Sequence, residues 1–179
     1  MSNFKIKLFI TDIDGVWTDA GMYYDNNNNE LKKFNTKDAI GVFFLKLLGI
    51  ETVIISSENT NIVKRRAKKL AINKCFLGVE NKLDFTLDLC KKQGIDIKEV
   101  AFIGDEINDL NLIENVGLSA CPSDAASYIK REVNWIMTKK GGDGVYREFV
   151  IKYLNHTKKM EEVIQKSREF YSLENIKVK

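Results

Sequence analysis

Lys5-Ile-Lys-Leu-Phe-Ile-Thr11 runs directly into Asp12-Ile-Asp14-Gly15, a β-prone segment that stops on two acids and a glycine. Two more runs have the same form: Glu51 to Ser56 (ETVIIS) and Glu99 to Gly104 (EVAFIG) are short, apolar and followed by polar residues. A helical pattern comes after each. Asp38 to Leu48 carries Ile40, Phe43, Phe44, Leu47 and Leu48 at helical spacing, and Ile62, Val63, Ala67 and Leu70 mark a second amphipathic stretch. Leu83, Leu87, Leu89 and Cys90 suggest a third helix, and Ile107 to Val116 a fourth. Strands alternating with helices of this length predict an α/β fold, a Rossmann-like three-layer sandwich with a mostly parallel sheet and right-handed crossovers. Such sheets bind ligands beyond the carboxyl ends of their strands. Three polar clusters should therefore converge: Asp12 with Asp14, Ser56 to Asn59, and Asp105 to Asp109.

Between the first strand and first helix, Gly21 to Phe34 places two β-prone runs on either side of four asparagines, the composition of a β-hairpin. It serves equally well as a plain surface hairpin or as a lid or subunit contact. The gaps between the clusters leave no room for a cap domain beyond it. After Ser123 come a short helix, a strand-like Val133 to Met137, the glycine-rich loop Lys140 to Gly144 and a helix from Val145 to about Leu154. The expected division is a body over residues 1–155 and a helical tail over 156–179, whose Met160, Val163 and Ile164 form an apolar stripe.

The 179 residues suit one domain with its own core. A net charge of +3, with Lys and Arg scattered among nearly as many acids, disfavours nucleic acid as a partner. No signal-peptide-like or membrane-spanning apolar stretch occurs, so a cytoplasmic location is expected. Cys75, Cys90 and Cys121 lack CxxC spacing and read as ordinary reduced thiols. His156 is the only histidine. Acid–base and metal chemistry must therefore fall on carboxylates and lysines.

Asp12, at a strand end, has the position of a nucleophile, and Asp14, two residues on, that of the acid and base that protonates a leaving oxygen and later activates water. Asp105, Glu106 and Asp109 add carboxylates that would repel the first pair unless a hard cation such as Mg²⁺ lay between them. The expected ligands are Asp12, the backbone carbonyl of Asp14, and Asp105, with Asn108 and Asp109 acting from behind or through water. Ser56 and Lys82 supply the hydroxyl and the charge that a phosphoryl group needs.

In this order, TDIDGVWTD, KKFNTKDAIG, IISSENTNIVKRRAKKL, GVENK, VAFIGDEINDL and GGDGVYRE resemble the haloacid dehalogenase superfamily of aspartyl phosphatases. The resemblance covers roughly residues 5 to 155 and is to the small capless branch that includes 3-deoxy-manno-octulosonate 8-phosphate phosphatase and its nine-carbon relatives. It implies a Mg²⁺ enzyme acting on a sugar-acid phosphate, Asp12 as nucleophile, Asp14 as acid and base, Ser56 and Lys82 on the phosphate, Asp105 on the metal, and a homotetramer assembled through the flap hairpins. It also makes Phe34, Asn35, Asp38 and Arg147 candidate substrate contacts. Ser57 stands where the branch usually has Gly, and Glu106 where it usually has Asp. Glu58 with Lys69 looks more like the branch acting on nonulosonate 9-phosphates such as KDN 9-phosphate than like the octulosonate enzymes, which commonly carry a basic residue just after the second motif. The alternative to catalysis is a non-catalytic oligomerisation or regulatory module of a sugar-nucleotide pathway.

Overall fold

The computed structural model describes residues 4–177, with side chains to 173; the last two residues of the 156–179 tail lie outside it. Six strands form one sheet in which every pairing is parallel, in the order β5-β4-β1-β6-β7-β8. These are β1 (Leu8–Thr11), β4 (Glu51–Ser56), β5 (Lys74–Leu77), β6 (Val100–Ile103), β7 (Leu118–Cys121) and β8 (Trp135–Ile136). A separate antiparallel hairpin joins β2 (Tyr23–Tyr24) to β3 (Glu30–Leu31). The helices are α1 (Asp38–Leu47), α2 (Asn61–Lys69), α3 (Lys82–Gln93), α4 (Leu110–Asn115), α5 (Ser127–Glu132), α6 (Val145–His156) and α7 (Met160–Lys177).

The alternation of side chains along β1 divides the core. Phe9 faces one way, onto Leu45, Val63, Phe149 and Tyr153 of α1, α2 and α6, while Leu8 and Ile10 face the other, onto Leu89, Leu112 and Ile129 of α3, α4 and α5. Both faces are covered, so β6 and the interiors of β1 and β4 are apolar on both sides, as all-parallel sheets require. Truncating Phe9, fully buried and packed on the rings of Phe149 and Tyr153, would cost about 3–5 kcal/mol.

The tail is not free. Val163 of α7 is buried in the first of these cores, Phe170 and Tyr171 rest on Phe43, and the Lys166 ammonium donates to the Leu47 carbonyl at the end of α1. Among the described residues no helix is long and apolar enough to cross a membrane.

Candidate active site

Asp12 is the first residue past β1, and its N–H still donates to Ile103 O of β6 at 3.0 Å. The chain then turns on the Ile13 carbonyl, which accepts from the N–H groups of Val16, Trp17 and Thr18. Gly15 has φ +80°, and a Cβ there would land inside the Asp105 carboxylate. Only glycine lets the turn lie this close to the β6 loop.

Asp109 organises that loop. Its Oδ2 accepts from the N–H groups of Asp105 (2.9 Å) and Glu106 (3.3 Å), and its Oδ1 accepts from the Lys82 ammonium at 2.6 Å. Lys82 opens α3, whose N-cap Asn81 accepts from the Asp84 N–H, and its Nζ also lies 3.0 Å from Asp12 Oδ1. Carboxylate oxygens of Asp12, Asp105 and Asp109 fall within 4.8 Å of one another. One buried ammonium does not balance three carboxylates. Burial, then the charge of Asp109, pushes Asp12 up to about 7 despite Lys82, and burial with Asp12 and Asp109 pushes Asp105 up to about 8. Burial works against the charged form of Lys82, but Asp12 and Asp109 outweigh it and hold its pKa above the usual lysine range.

Both Asp109 oxygens are engaged, whereas Asp105 Oδ1 is buried without a hydrogen-bond partner. An unpartnered acceptor beside a second carboxylate, in an oxygen-only cluster with excess negative charge, fits a hard divalent cation. Asp12 and Asp105 are the residues whose oxygens remain to hold it.

These residues line an open cleft of about 350 Å³ together with Asp14, Ser56, Ser57, Glu58, Glu106 and Asn108. Ser56 is buried, and its Oγ accepts from the Glu58 N–H at 3.3 Å. Ser57 bridges strand ends, donating to Val79 O and accepting from Asn108 Nδ2. Glu106 accepts from the Ile107 N–H and the Tyr128 hydroxyl, which gives the opposite rim its shape.

One cation of this site escaped the sequence reading. Lys32, at the exit of the hairpin, sends its ammonium to Asp14 Oδ1 and Glu58 Oε2, 2.6 Å from each, with its side chain only 2% exposed. Burial disfavours its charge, yet the hydrogen bonds it donates to both carboxylates hold its pKa above the normal value. The available signal was parity: Glu30, Lys32 and Phe34 share one side of the extended chain, and Leu31 and Lys33 the other. Glu58 is consequently no bare carboxylate, because the Lys32 ammonium at the hairpin's exit pairs with it.

The remaining candidates lie apart from the cleft wall. Phe34 and Lys69 line a neighbouring groove of about 480 Å³ with Arg65 and Arg66. Arg66, also missed, lies over the Phe34 ring and donates to Asn35 O, while Asn35 Nδ2 donates to Gly142 O. Asp38 is fully buried and its Oδ1 accepts the backbone N–H of Arg147 at 3.0 Å. Burial raises its pKa to about 6, against the Arg147 N–H and the charges of Arg66, Arg147 and Lys139.

Residues 77–149 match the family model of the haloacid dehalogenase-like hydrolases. The chain is 36% identical, over 144 residues that span 80% of each protein, to the 3-deoxy-D-manno-octulosonate 8-phosphate phosphatase of Haemophilus influenzae. This chain belongs to the haloacid dehalogenase-like hydrolases. Within them it sits in the branch of the 3-deoxy-D-manno-octulosonate 8-phosphate phosphatases. The crystal structure of that phosphatase from Moraxella catarrhalis, in complex with a magnesium ion, a phosphate ion and a KDO molecule, superimposes with a TM-score of 0.87 at 32% identity, covering 90% of this chain and 93% of that one. The cobalt-bound Haemophilus influenzae enzyme gives 0.81 at 34% identity, covering 86% and 90%. Among the described residues no cap domain is present, and the β2–β3 hairpin is what lies between β1 and α1.

Proposed function

We propose that this hydrolase is a Mg²⁺-dependent phosphatase of an acidic 3-deoxy-2-keto sugar phosphate, with 3-deoxy-D-manno-octulosonate 8-phosphate as the first candidate. The observation that carries the reading is the buried Asp12–Lys82–Asp109 arrangement clustered with Asp105 at an open cleft that Asp12 and Asp105 line. A carboxylate held by an ammonium, with an unpartnered acidic neighbour, suits nucleophilic attack on a dianion that a metal helps to neutralise. Asp12, Asp105 and the Asp14 carbonyl would hold the ion, which would supply positive charge against the phosphoryl oxygens.

Asp12 forms the new O–P bond as the sugar's O–P bond breaks, and the proton on Asp14 goes to the departing oxygen. Water then attacks the acyl-phosphate while Asp14 takes its proton, releasing phosphate and the Asp12 carboxylate. Lys82 keeps Asp12 aimed and, with the Ser56 hydroxyl and neighbouring N–H groups, meets the phosphoryl oxygens. Asn108 braces the rim through Ser57, and Asp109 holds Asp105 in place from behind.

The nine-carbon ester is the second reading, and it rests on Glu58 with Lys69. The Lys32–Glu58 pair weakens its premise, since the carboxylate arrives neutralised. Measuring kcat/KM on octulosonate 8-phosphate and nonulosonate 9-phosphates, with hexose phosphates and nucleotides beside them, decides it. A preference of at least tenfold for one sugar acid is expected; a preference for hexose phosphates or nucleotides would sink the sugar-acid reading. Assembly into four subunits through the hairpins belongs to the same proposal, with light scattering as its check.

A further inference from the structure

We propose that Asp38 is a positioning residue for the catalytic turn, acting through the first turn of α6 on the Asp12 peptide rather than by touching substrate. α6 is preceded by Gly144, its N-cap, which has φ +83° and no side chain to cap the helix. The N–H of Arg147, in that unsatisfied first turn, is taken by Asp38 Oδ1 from α1, so a carboxylate on another helix serves as the cap. Both helices are thereby fixed to each other at this end.

Tyr146, the neighbour of Arg147, is fully buried and stacks on Trp17 with centroids 4.8 Å apart and planes 30° off parallel. Its hydroxyl is tied to Thr52 Oγ1 at 2.8 Å, and Gly41 of α1 presses against its ring. Trp17 belongs to the catalytic turn. Its indole N–H donates to Thr11 Oγ1 at 2.8 Å, and the Thr11 hydroxyl donates to the carbonyl of Asp12 at 2.7 Å. A contiguous relay thus runs from the Asp38 carboxylate through α6, Tyr146, Trp17 and Thr11 to the peptide that carries the nucleophile. The glycine loop ahead of α6 supports the same turn from beside it. Gly142 N–H donates to Val16 O, and Gly141 lies so close to Gly15 O that a Cβ there would collide with it.

This geometry separates two roles that the sequence left together. A substrate contact raises KM when removed; a residue that aims the nucleophile lowers kcat and leaves KM alone. The inference rests on Asp12 being the nucleophile, so the experiment carries one arm that does not depend on turnover. In a Trp135→Phe background, which leaves Trp17 as the single indole, Asp38→Ala is expected to lower kcat on the sugar-acid phosphate at least tenfold with KM within about twofold. It should also shift the Trp17 emission in metal-free protein. Asp38→Asn keeps an acceptor for Arg147 N–H and should restore both readings to within about threefold of the parent. Thr11→Val breaks the relay one link from Asp12 with the α6 cap intact, and the same loss confined to kcat is expected should Asp38→Ala fail to fold. An unchanged kcat well below the melting transition, or a raised KM at unchanged kcat, overturns the inference. A Trp135→Phe protein that hydrolyses no sugar-acid phosphate at all overturns the proposed function instead; in that case an unmoved Trp17 emission in Asp38→Ala overturns the relay by itself.

Discussion

Asp12 and Lys82 are 5% and 1% exposed, at the ends of elements packed on every side, whereas Tyr23, Tyr24 and Leu31 of the hairpin are 43%, 65% and 60% exposed. Both regions send charges into one cleft. The floor holds its carboxylates by ladder hydrogen bonds, a buried ammonium and a glycine turn with no room to relax. The hairpin has two-residue strands and reaches the acidic residues of the site through the single ammonium of Lys32. The contrast teaches that chemistry is placed where the backbone cannot move, and adjustment is left to a feature anchored by a few polar contacts.

The largest effect is expected on the floor. Asp12→Asn should lower turnover on the order of 10⁴-fold or more, the scale on which losing a covalent nucleophile acts, with an unchanged far-UV circular dichroism spectrum. Substantial residual activity in that variant would remove Asp12 from the mechanism.

Next in size is the response to metal and pH. Asp12 and Asp105 have folded pKa values raised to about 7 and about 8 from the usual carboxylate value of 3.8, so the metal-free folded state binds protons more tightly than the unfolded chain. Its stability should fall as pH rises from about 4 through about 8. Divalent cations bind the ionised carboxylates. A metal at about 100 times its Kd adds about 2.7 kcal/mol, which for a chain of this length is roughly 5–10 °C. That gain in melting temperature should be full near pH 8 and much reduced near pH 5, and EDTA should stop turnover. Equal gains at both pH values would show that the ion binds elsewhere.

The smallest effect belongs to the hairpin. Lys32→Met removes its ion pairs to Asp14, Glu58 and, at the longer distance of 3.9 Å, Glu30, carboxylates that are themselves 28%, 40% and 29% exposed, so global stability should drop by no more than about 1 kcal/mol. Proteolysis within residues 22–31 should nevertheless accelerate severalfold while cleavage of the body stays unchanged. Protection of the hairpin in that variant would mean that other contacts hold it and that the contrast with the floor is overstated.

Much of this architecture could be read from residues alone. β1, β4 and β6 are apolar runs that end in polar residues, and the helical spacings from Asp38 to Leu48 and in α2 and α3 found their elements. β5 and β7 did not announce themselves. Lys74-Cys-Phe-Leu is a half-buried strand with no alternation, and Leu118-Ser-Ala-Cys is buried along its length but built from small residues of weak β propensity. The segment Ile107 to Val116, read as one helix, is a 3-10 turn over Ile107–Asp109 followed by α4, because Asp109 turns back to cap the loop it sits in. Asp12, Asp14, Ser56 and Asp105 were legible because strand ends in a parallel sheet converge. Lys32 and Arg66 were not: parity along the extended chain places Lys32 on the side of Phe34 but does not name the distant carboxylates it meets, and nothing local distinguishes an inward-folding Arg66 from one that faces water.

The strand order has a consequence for how such a chain is made. β1 lies between β4 and β6, with Leu8 opposite Glu51 on one side and Val100 on the other. Emerging from the ribosome, Asp12 is synthesised long before Asp105, and β1 waits with one apolar edge unpaired until the second half of the chain arrives. The carboxylate cluster therefore exists only in a finished sheet. A half-made chain carries the nucleophile's residue but none of the surroundings that give it a task.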